Sequence, residues 1–257
     1  MKNLLLFTFL LSTFSLFGQK DTVVGQVFTL KNLPKTEDSN RISTIILKSS
    51  GTNTLENLRI HCTTLKAGHK LRVAHRQAED EELIIVREGK LTVTINKKTQ
   101  TIGAGSVLLI MPNDEQMMNN LDTMNASYYV FIYRSKKPKE KVRGDTSGGS
   151  LILDWNNITF KLHGKGGRRD FFNRPTTMLK RFEMHVTSLN QGLKSHEPHT
   201  HFPEEFILMV SGKAKMQIGT QFYEGAAGDL FFLPSNSLHN LINIGEGQAV
   251  YFAFQFD

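Results

Sequence analysis

The chain of 257 residues is poor in cysteine, tryptophan and proline, with one, one and seven of them. The single Cys62 cannot form an internal disulfide, so the folded state must hold without bridges. It lies in the alternating segment LRIHCTTL, where a buried strand thiol is the expected role. Acidic residues are outnumbered, 24 against 31 Lys and Arg, for a net charge of +7. The basic excess gathers in RSKKPKEKVR at 134–143, which reads as a solvated linker, and in KGGRR at 165–169. Neither stretch is interleaved with aromatics, which argues against nucleic-acid binding. Phosphate-binding loops, dinucleotide fingerprints and Ser–His–Asp arrangements are not evident.

The one long apolar run, within MKNLLLFTFLLSTFSLFGQ, is too short to span a bilayer comfortably. Lys2 ahead of it and the small Gly18 before Gln19 give it the form of a secretory signal peptide over residues 1–18. No positively charged stop-transfer flank follows, and no cysteine near Gln19 indicates a lipid anchor. The expected mature protein begins near Gln19, is secreted or periplasmic, and has no membrane association after cleavage.

What the chain does contain is a duplication. IHCTTLKAG at 60–68 parallels MHVTSLNQG at 184–192, and EELIIVREGKLTVTI at 81–95 parallels EEFILMVSGKAKMQI at 204–218. GSVLLI at 105–110 matches GDLFFL at 228–233, and YYVF at 128–131 matches YFAF at 251–254. Both copies alternate apolar and polar residues in short runs punctuated by glycine, the pattern of antiparallel strands. Gly89-Lys90 and Gly212-Lys213 sit where a hairpin is expected to turn tightly. The expected organisation is one unit over 19–135, a linker over 136–150 and a second unit over 151–257.

Chemistry concentrates in HTHFPEE at 199–205 and at His239. His199 and His201 are two apart, so on a strand both leave the same face. Glu205 opens the run FILMV, and DLFFLP leads to SNSLHN, which places His239 at a strand end. Three imidazoles and a carboxylate that converge suit a first-row divalent ion. The rivals are His196, which strand alternation would turn to the opposite face, and Glu204, expected to face out or orient a neighbour. The expected metal ligands are therefore His199, His201, Glu205 and His239. In the first copy the corresponding residues are His75, Gln77, Glu82 and Gln116. An amide oxygen is a weaker ligand than imidazole, and Met111, Met117 and Met118 favour a filled apolar interior. The first copy is expected to be metal-free or a weak binder with a structural role.

Gly192, then HTH, Glu205 and Gly212 resemble the first motif of the cupin superfamily, and Gly228, Pro234, His239 and Asn243 resemble the second. Two positions depart: one extra residue separates Gly192 from His199, and Asn236 stands where the family usually has glycine. The resemblance covers roughly residues 180–257 directly. It implies an all-β fold, which the duplication extends to two tandem jelly-roll barrels, with the ligands pointing inward. It also implies Mn or Fe as the metal before Zn or Ni. Among two-barrel cupins, a weak first site beside an intact second one is similar to ureidoglycine aminohydrolases, which release ammonia from a ureido acid at a Mn site. Their ligand set includes a glutamine, so the substrate does not carry over. A cupin dioxygenase, and a protein that binds a metal or small ligand without turnover, are the alternatives.

The interior beside the metal should be an apolar pocket with few polar anchors, for which Gln217, Tyr223 and Tyr251 are candidates against a packing or surface role. KGGRRDFFNRP at 165–175 concentrates Lys165, Arg168, Arg169 and Arg174. Either it is a solvated loop, or it is a flexible basic lip that captures a substrate carboxylate. The expected partner is a small polar or anionic molecule. Jelly-roll edges commonly pair between protomers, so a homodimer is compatible with this reading.

Overall fold

The computed structural model describes residues 22–68 and 73–257, so the expected signal segment 1–18 and Gln19 lie outside the described residues. Short alternating runs become antiparallel strands throughout, arranged as two seven-stranded and two three-stranded sheets. In the carboxy-terminal half the large sheet runs Gln26–Phe28, Leu230–Leu233, Glu204–Ser211, Ala249–Phe256, Phe182–Leu189, Gly166–Arg174, Phe160–His163. The small sheet facing it contains Gln221–Ala226, Lys213–Ile218 and His239–Asn243. The amino-terminal half repeats this plan, with Glu81–Glu88 and Ala126–Ser135 central in its large sheet. Each half is a jelly-roll barrel, as the alternation and the duplication imply.

Two short strands cross between the halves. Gln26–Phe28 pairs with Leu230–Leu233 of the second barrel, and Leu151–Leu153 pairs with Val107–Ile110 of the first. Each barrel therefore closes one edge of its large sheet with a strand from the other unit, which removes an exposed edge. The linker is also ordered: Lys141–Thr146 is a short helix, and Arg143 donates to the carbonyls of Thr176 and Thr177.

Period-two patterning decides what each strand face meets. Along Glu204–Ser211, Phe206 and Leu208 enter a core shared by both barrels, while Ile207 and Met209 fill the second barrel's interior. Phe206 lies 5.5 Å from Phe254 in a stacked pair, and Phe131 of the first barrel meets Phe254 edge-on at 5.1 Å. Such pairs add to the area they bury. Cys62 belongs to this shared core, and burial pushes its thiol up. Met111 belongs there too, whereas Met118 packs within the first barrel in an apolar cluster with Ile84, Val86 and Tyr128.

Gly89 and Gly212 are not hairpin turns. Each is a corner at which one strand leaves its large sheet and continues into the small one. Their φ values of +75° and +79° favour glycine, and a Cβ on Gly89 would lie 2.3 Å from the Asn125 carbonyl. The tight hairpin of the first barrel is instead Asn96-Lys97, both at positive φ between Lys90–Ile95 and Lys98–Gly103.

The same alternation explains Glu204, which is buried and faces the other unit. Its carboxylate accepts from Thr52 Oγ1 at 2.6 Å, Asn53 N at 3.0 Å and Thr54 N at 2.9 Å, all in the first barrel. Glu81, its counterpart, accepts from Thr176 Oγ1 at 2.8 Å and Met178 N at 2.7 Å, and from Tyr133 at 2.7 Å. The two barrels thus clasp each other reciprocally, each through the first glutamate of an EE pair.

Candidate metal centre

Glu205, one residue on from Glu204, points into the second barrel and is 6% exposed. The segment carrying His199 and His201 is a loop rather than a strand; only His199 pairs, exchanging backbone hydrogen bonds with His239 at 3.2 and 3.0 Å. Asn236 N donates to the His201 carbonyl at 2.8 Å, and Asn236 adopts φ +58°, the left-handed conformation that asparagine tolerates best after glycine. The departure from glycine is therefore accommodated.

The expected ligands gather around His239: donor atoms of His201, Glu205 and His239 lie within 4.8 Å of one another, whereas His199 groups with His239 and not with Glu205. The His201 ring lies 4.7 Å from that of His239, and the His199 ring lies 4.6 Å from it. Glu205 Oε2 is 3.1 Å from His201 Nε2 and 3.5 Å from His239 Nε2. His201 Nδ1 bonds the Pro203 carbonyl and His239 Nδ1 the Ser237 carbonyl, each at 2.8 Å. A carbonyl only accepts, so both imidazoles carry a proton on Nδ1 and turn Nε2 inward. Backbone anchoring of this kind orients metal-ligating histidines. His239 Nε2 is buried with no hydrogen-bond partner, and the lone pair of His201 faces a carboxylate oxygen. Acceptors held against acceptors need a cation between them, either a proton or a metal ion, so the donor set fits a divalent ion.

Electrostatics agree with this picture. The Glu205 hydrogen bond raises His201, whereas burial lowers His239. Burial alone would raise Glu205, but the bond from His201 and the neighbouring His239 and His185 hold it below its ordinary value.

His199, Glu205 and His239 sit at the wall of a cavity of about 300 Å³ whose lining mixes apolar and polar groups. Of the expected substrate contacts, Arg168 and Tyr251 line it, and so does Lys165. Arg168 and Arg169 are neighbours on the strand Gly166–Arg174, not on a flexible lip, so they point to opposite faces. Arg169 lies outside the cavity with its guanidinium 4.6 Å from the Trp155 ring centroid, and Arg174 donates to the carbonyls of Ser147 and Gly149. Gln217 is likewise absent from the lining and folds back on the Gly219 carbonyl at 3.1 Å, while Tyr223 reaches Gly25. Tyr251 is buried and its hydroxyl is raised by desolvation.

His185 and Gln255, which the residue pattern does not single out, complete the cavity together with His196. His185 lines it, with Nδ1 at 2.8 Å from Glu183 Oε1, and the same oxygen accepts from Arg168 at 2.9 Å. Gln255 lies 3.4 Å from Glu205 Oε2. His196 also lines the cavity, its ring 4.1 Å from that of His199. His185 and Glu183, two apart on Phe182–Leu189, were legible as a same-face polar pair in MHVTSL and the residue before it.

The first barrel presents a different arrangement. Gln116 Nε2 donates to Glu82 Oε2 at 2.6 Å, so an amide hydrogen bond takes up the carboxylate oxygen that Glu205 turns toward imidazoles. Burial raises the Glu82 carboxyl.

Comparison with known proteins agrees with this architecture. The family model described as Cupin domain matches twice, at residues 62–133 and 185–254. A search of curated protein sequences finds no match. Among solved structures, YlbA from E. coli superposes with a TM-score of 0.71 at 17% identity, covering 90% of each chain. Oxalate decarboxylase from Lactobacillus farciminis, in a formate complex, gives 0.67 at 13% identity over 91% of this chain and 86% of its own. Oxalate decarboxylase from Bacillus subtilis, described with Mn(II) centres, gives 0.67 at 15% identity over 93% and 79%. With both barrels matched by the family model and the jelly-roll plan repeated in each half, the chain belongs to the cupin family as a two-barrel member.

Proposed function

We propose that the second barrel holds one divalent metal ion through His199, His201, Glu205 and His239, and that the chain is a metal-dependent enzyme acting on a small polar or anionic molecule. The observation that carries this reading is the buried, unpartnered His239 Nε2 beside Glu205, at the wall of a cavity of mixed polar and apolar lining. Manganese or iron leads among the metals, with zinc or nickel next; the Mn(II) centres of the Bacillus subtilis relative support a divalent ion of this kind. A bound ion would supply Lewis-acid polarisation of a substrate oxygen.

The chain's own residues do the rest. Lys165 and Arg168 set a positive end to the cavity, and Arg168 is held in place by Glu183. A neutral His185 that donates through Nδ1 to Glu183 leaves Nε2 to take up a proton from a substrate in the cavity. Burial of Tyr251 keeps its hydroxyl protonated as a donor. This division of roles suits hydrolysis or deamination of a small acid, the aminohydrolase-like reading. Secretion or export to the periplasm belongs to the same proposal and is tested by amino-terminal sequencing of the mature protein, expected to begin near Gln19.

Ammonia release from a panel of ureido acids by manganese-loaded protein tests the reaction. Turnover abolished by His185→Gln supports it. Oxygen uptake with catechols or flavonols, without ammonia release, would replace it with the dioxygenase reading, and silence in both assays would leave a binding protein.

A further inference from the structure

Strand alternation would turn His196 away from the metal, yet the loop Ser195–Pro198 is not a strand and brings it back. His196 lies at the cavity wall, 4.1 Å from the His199 ring and 5.8 Å from the His239 ring, centroid to centroid. Its Nδ1 bonds the Glu197 carbonyl at 2.9 Å, the same backbone anchoring that fixes His201 and His239. The carbonyl only accepts, so the His196 lone pair is on Nε2. Donor atoms of His196, His199 and His239 lie within 4.8 Å of one another, as do those of His201, Glu205 and His239. Five donors thus form two trios that share His239.

Two ions cannot fill both trios. His239 Nδ1 is committed to the Ser237 carbonyl, which leaves one lone pair, and one imidazole nitrogen binds one metal ion. A single ion beside the shared His239 is therefore the arrangement that engages both trios. We propose that His196 is a fifth protein ligand to that ion, making a site of four imidazoles and one carboxylate. This rests on the reading of the second barrel as a metal site. The first copy has no counterpart, because Arg72 and Val73 stand where the alignment places His196 and its neighbour. A fifth ligand from the same loop as His199 and His201 would fill a coordination place that a substrate donor could take over.

Cobalt(II) titration of metal-free protein tests this by stoichiometry, affinity and visible absorption, none of which needs a known substrate. The wild type should bind one Co²⁺ per chain. His196→Ala should still bind one, with a dissociation constant raised roughly tenfold or more and a d–d spectrum altered toward a lower imidazole count. Added imidazole should restore the wild-type spectrum in His196→Ala, which a purely structural role would not allow. His196→Gln, which keeps the side chain's bulk, should behave like His196→Ala if ligation is what was lost, and matching circular dichroism of the metal-free variants controls for folding. Wild-type affinity and spectrum in His196→Ala would overturn the proposal while leaving the four-ligand site intact. Two ions per wild-type chain would overturn the single-ion argument, and no Co²⁺ binding by the wild type would overturn the metal reading with it.

Discussion

Replacing Glu204 with alanine should destabilise the two-barrel body far more than its distance from the cavity suggests. The carboxylate is 1% exposed and accepts three hydrogen bonds from the first barrel, from Thr52 Oγ1, Asn53 N and Thr54 N. Alanine would leave those donors in the interface without their acceptor. A buried donor stripped of its partner costs about 1–3 kcal/mol, and the three donors here are neutral, so no unpaired charge is left behind. Thr54 N keeps Thr52 Oγ1 at 3.2 Å as a second acceptor and the other donors partly regain water, so the loss expected for Glu204→Ala is about 3 kcal/mol. Glu204→Gln keeps the volume and one accepting oxygen but turns an NH₂ toward a donor, so about 1–2 kcal/mol is expected. Urea denaturation followed by tryptophan fluorescence and circular dichroism would measure both. Equal losses in the two variants, or a loss below about 1 kcal/mol in Glu204→Ala, would refute the clasp as a source of stability.

The counterpart Glu81 is pushed up by burial to about 7 from an ordinary 4.5, against the donors that oppose the shift. The folded protein then binds this proton more tightly than the unfolded chain, so stability falls as pH rises from about 4.5 to about 7, by about 3 kcal/mol; Glu81→Gln should flatten that part of the pH–stability curve. Phe206→Ala should cost about 3–5 kcal/mol, since the ring is buried between Phe131, Phe232 and Phe254 at centroid distances of 5.6, 4.9 and 5.5 Å; a loss below about 1 kcal/mol in urea would contradict the shared core. The double substitution Gln77→His and Gln116→His removes the amide bond to Glu82 and recreates three imidazoles and a carboxylate in the first barrel. It should raise metal content from one ion per chain to two by elemental analysis, and no increase would show that the apolar interior, not the amides, decides.

Much of this was legible in the residues because the barrel strands, and Glu205 with them, follow period-two alternation. The duplicated EE pairs mark equivalent strands, and Glu205 enters the barrel because alternate residues of Glu204–Ser211 do. Alternation also misled where the chain is not a strand. Residues 196–201 are loop, so alternation misplaces His196, which lines the cavity. Alternation was not applied across 165–174, which is a strand, and so Arg169 was grouped with Arg168 although the two point to opposite faces. The exchanged strands Gln26–Phe28 and Leu151–Leu153 and the partners of Glu81 and Glu204 depend on contacts between residues far apart in sequence, which local patterning does not encode.

The central claim is that one divalent ion belongs to the second barrel and none to the first. Elemental analysis of mature protein equilibrated with manganese, set beside His201→Ala, His239→Ala and His75→Ala, tests it most directly. About one ion per chain is expected in the wild type and in His75→Ala, with the content lost or sharply lowered in the two second-barrel variants. Metal content that is unchanged in His201→Ala and His239→Ala, or that falls in His75→Ala instead, would contradict the account.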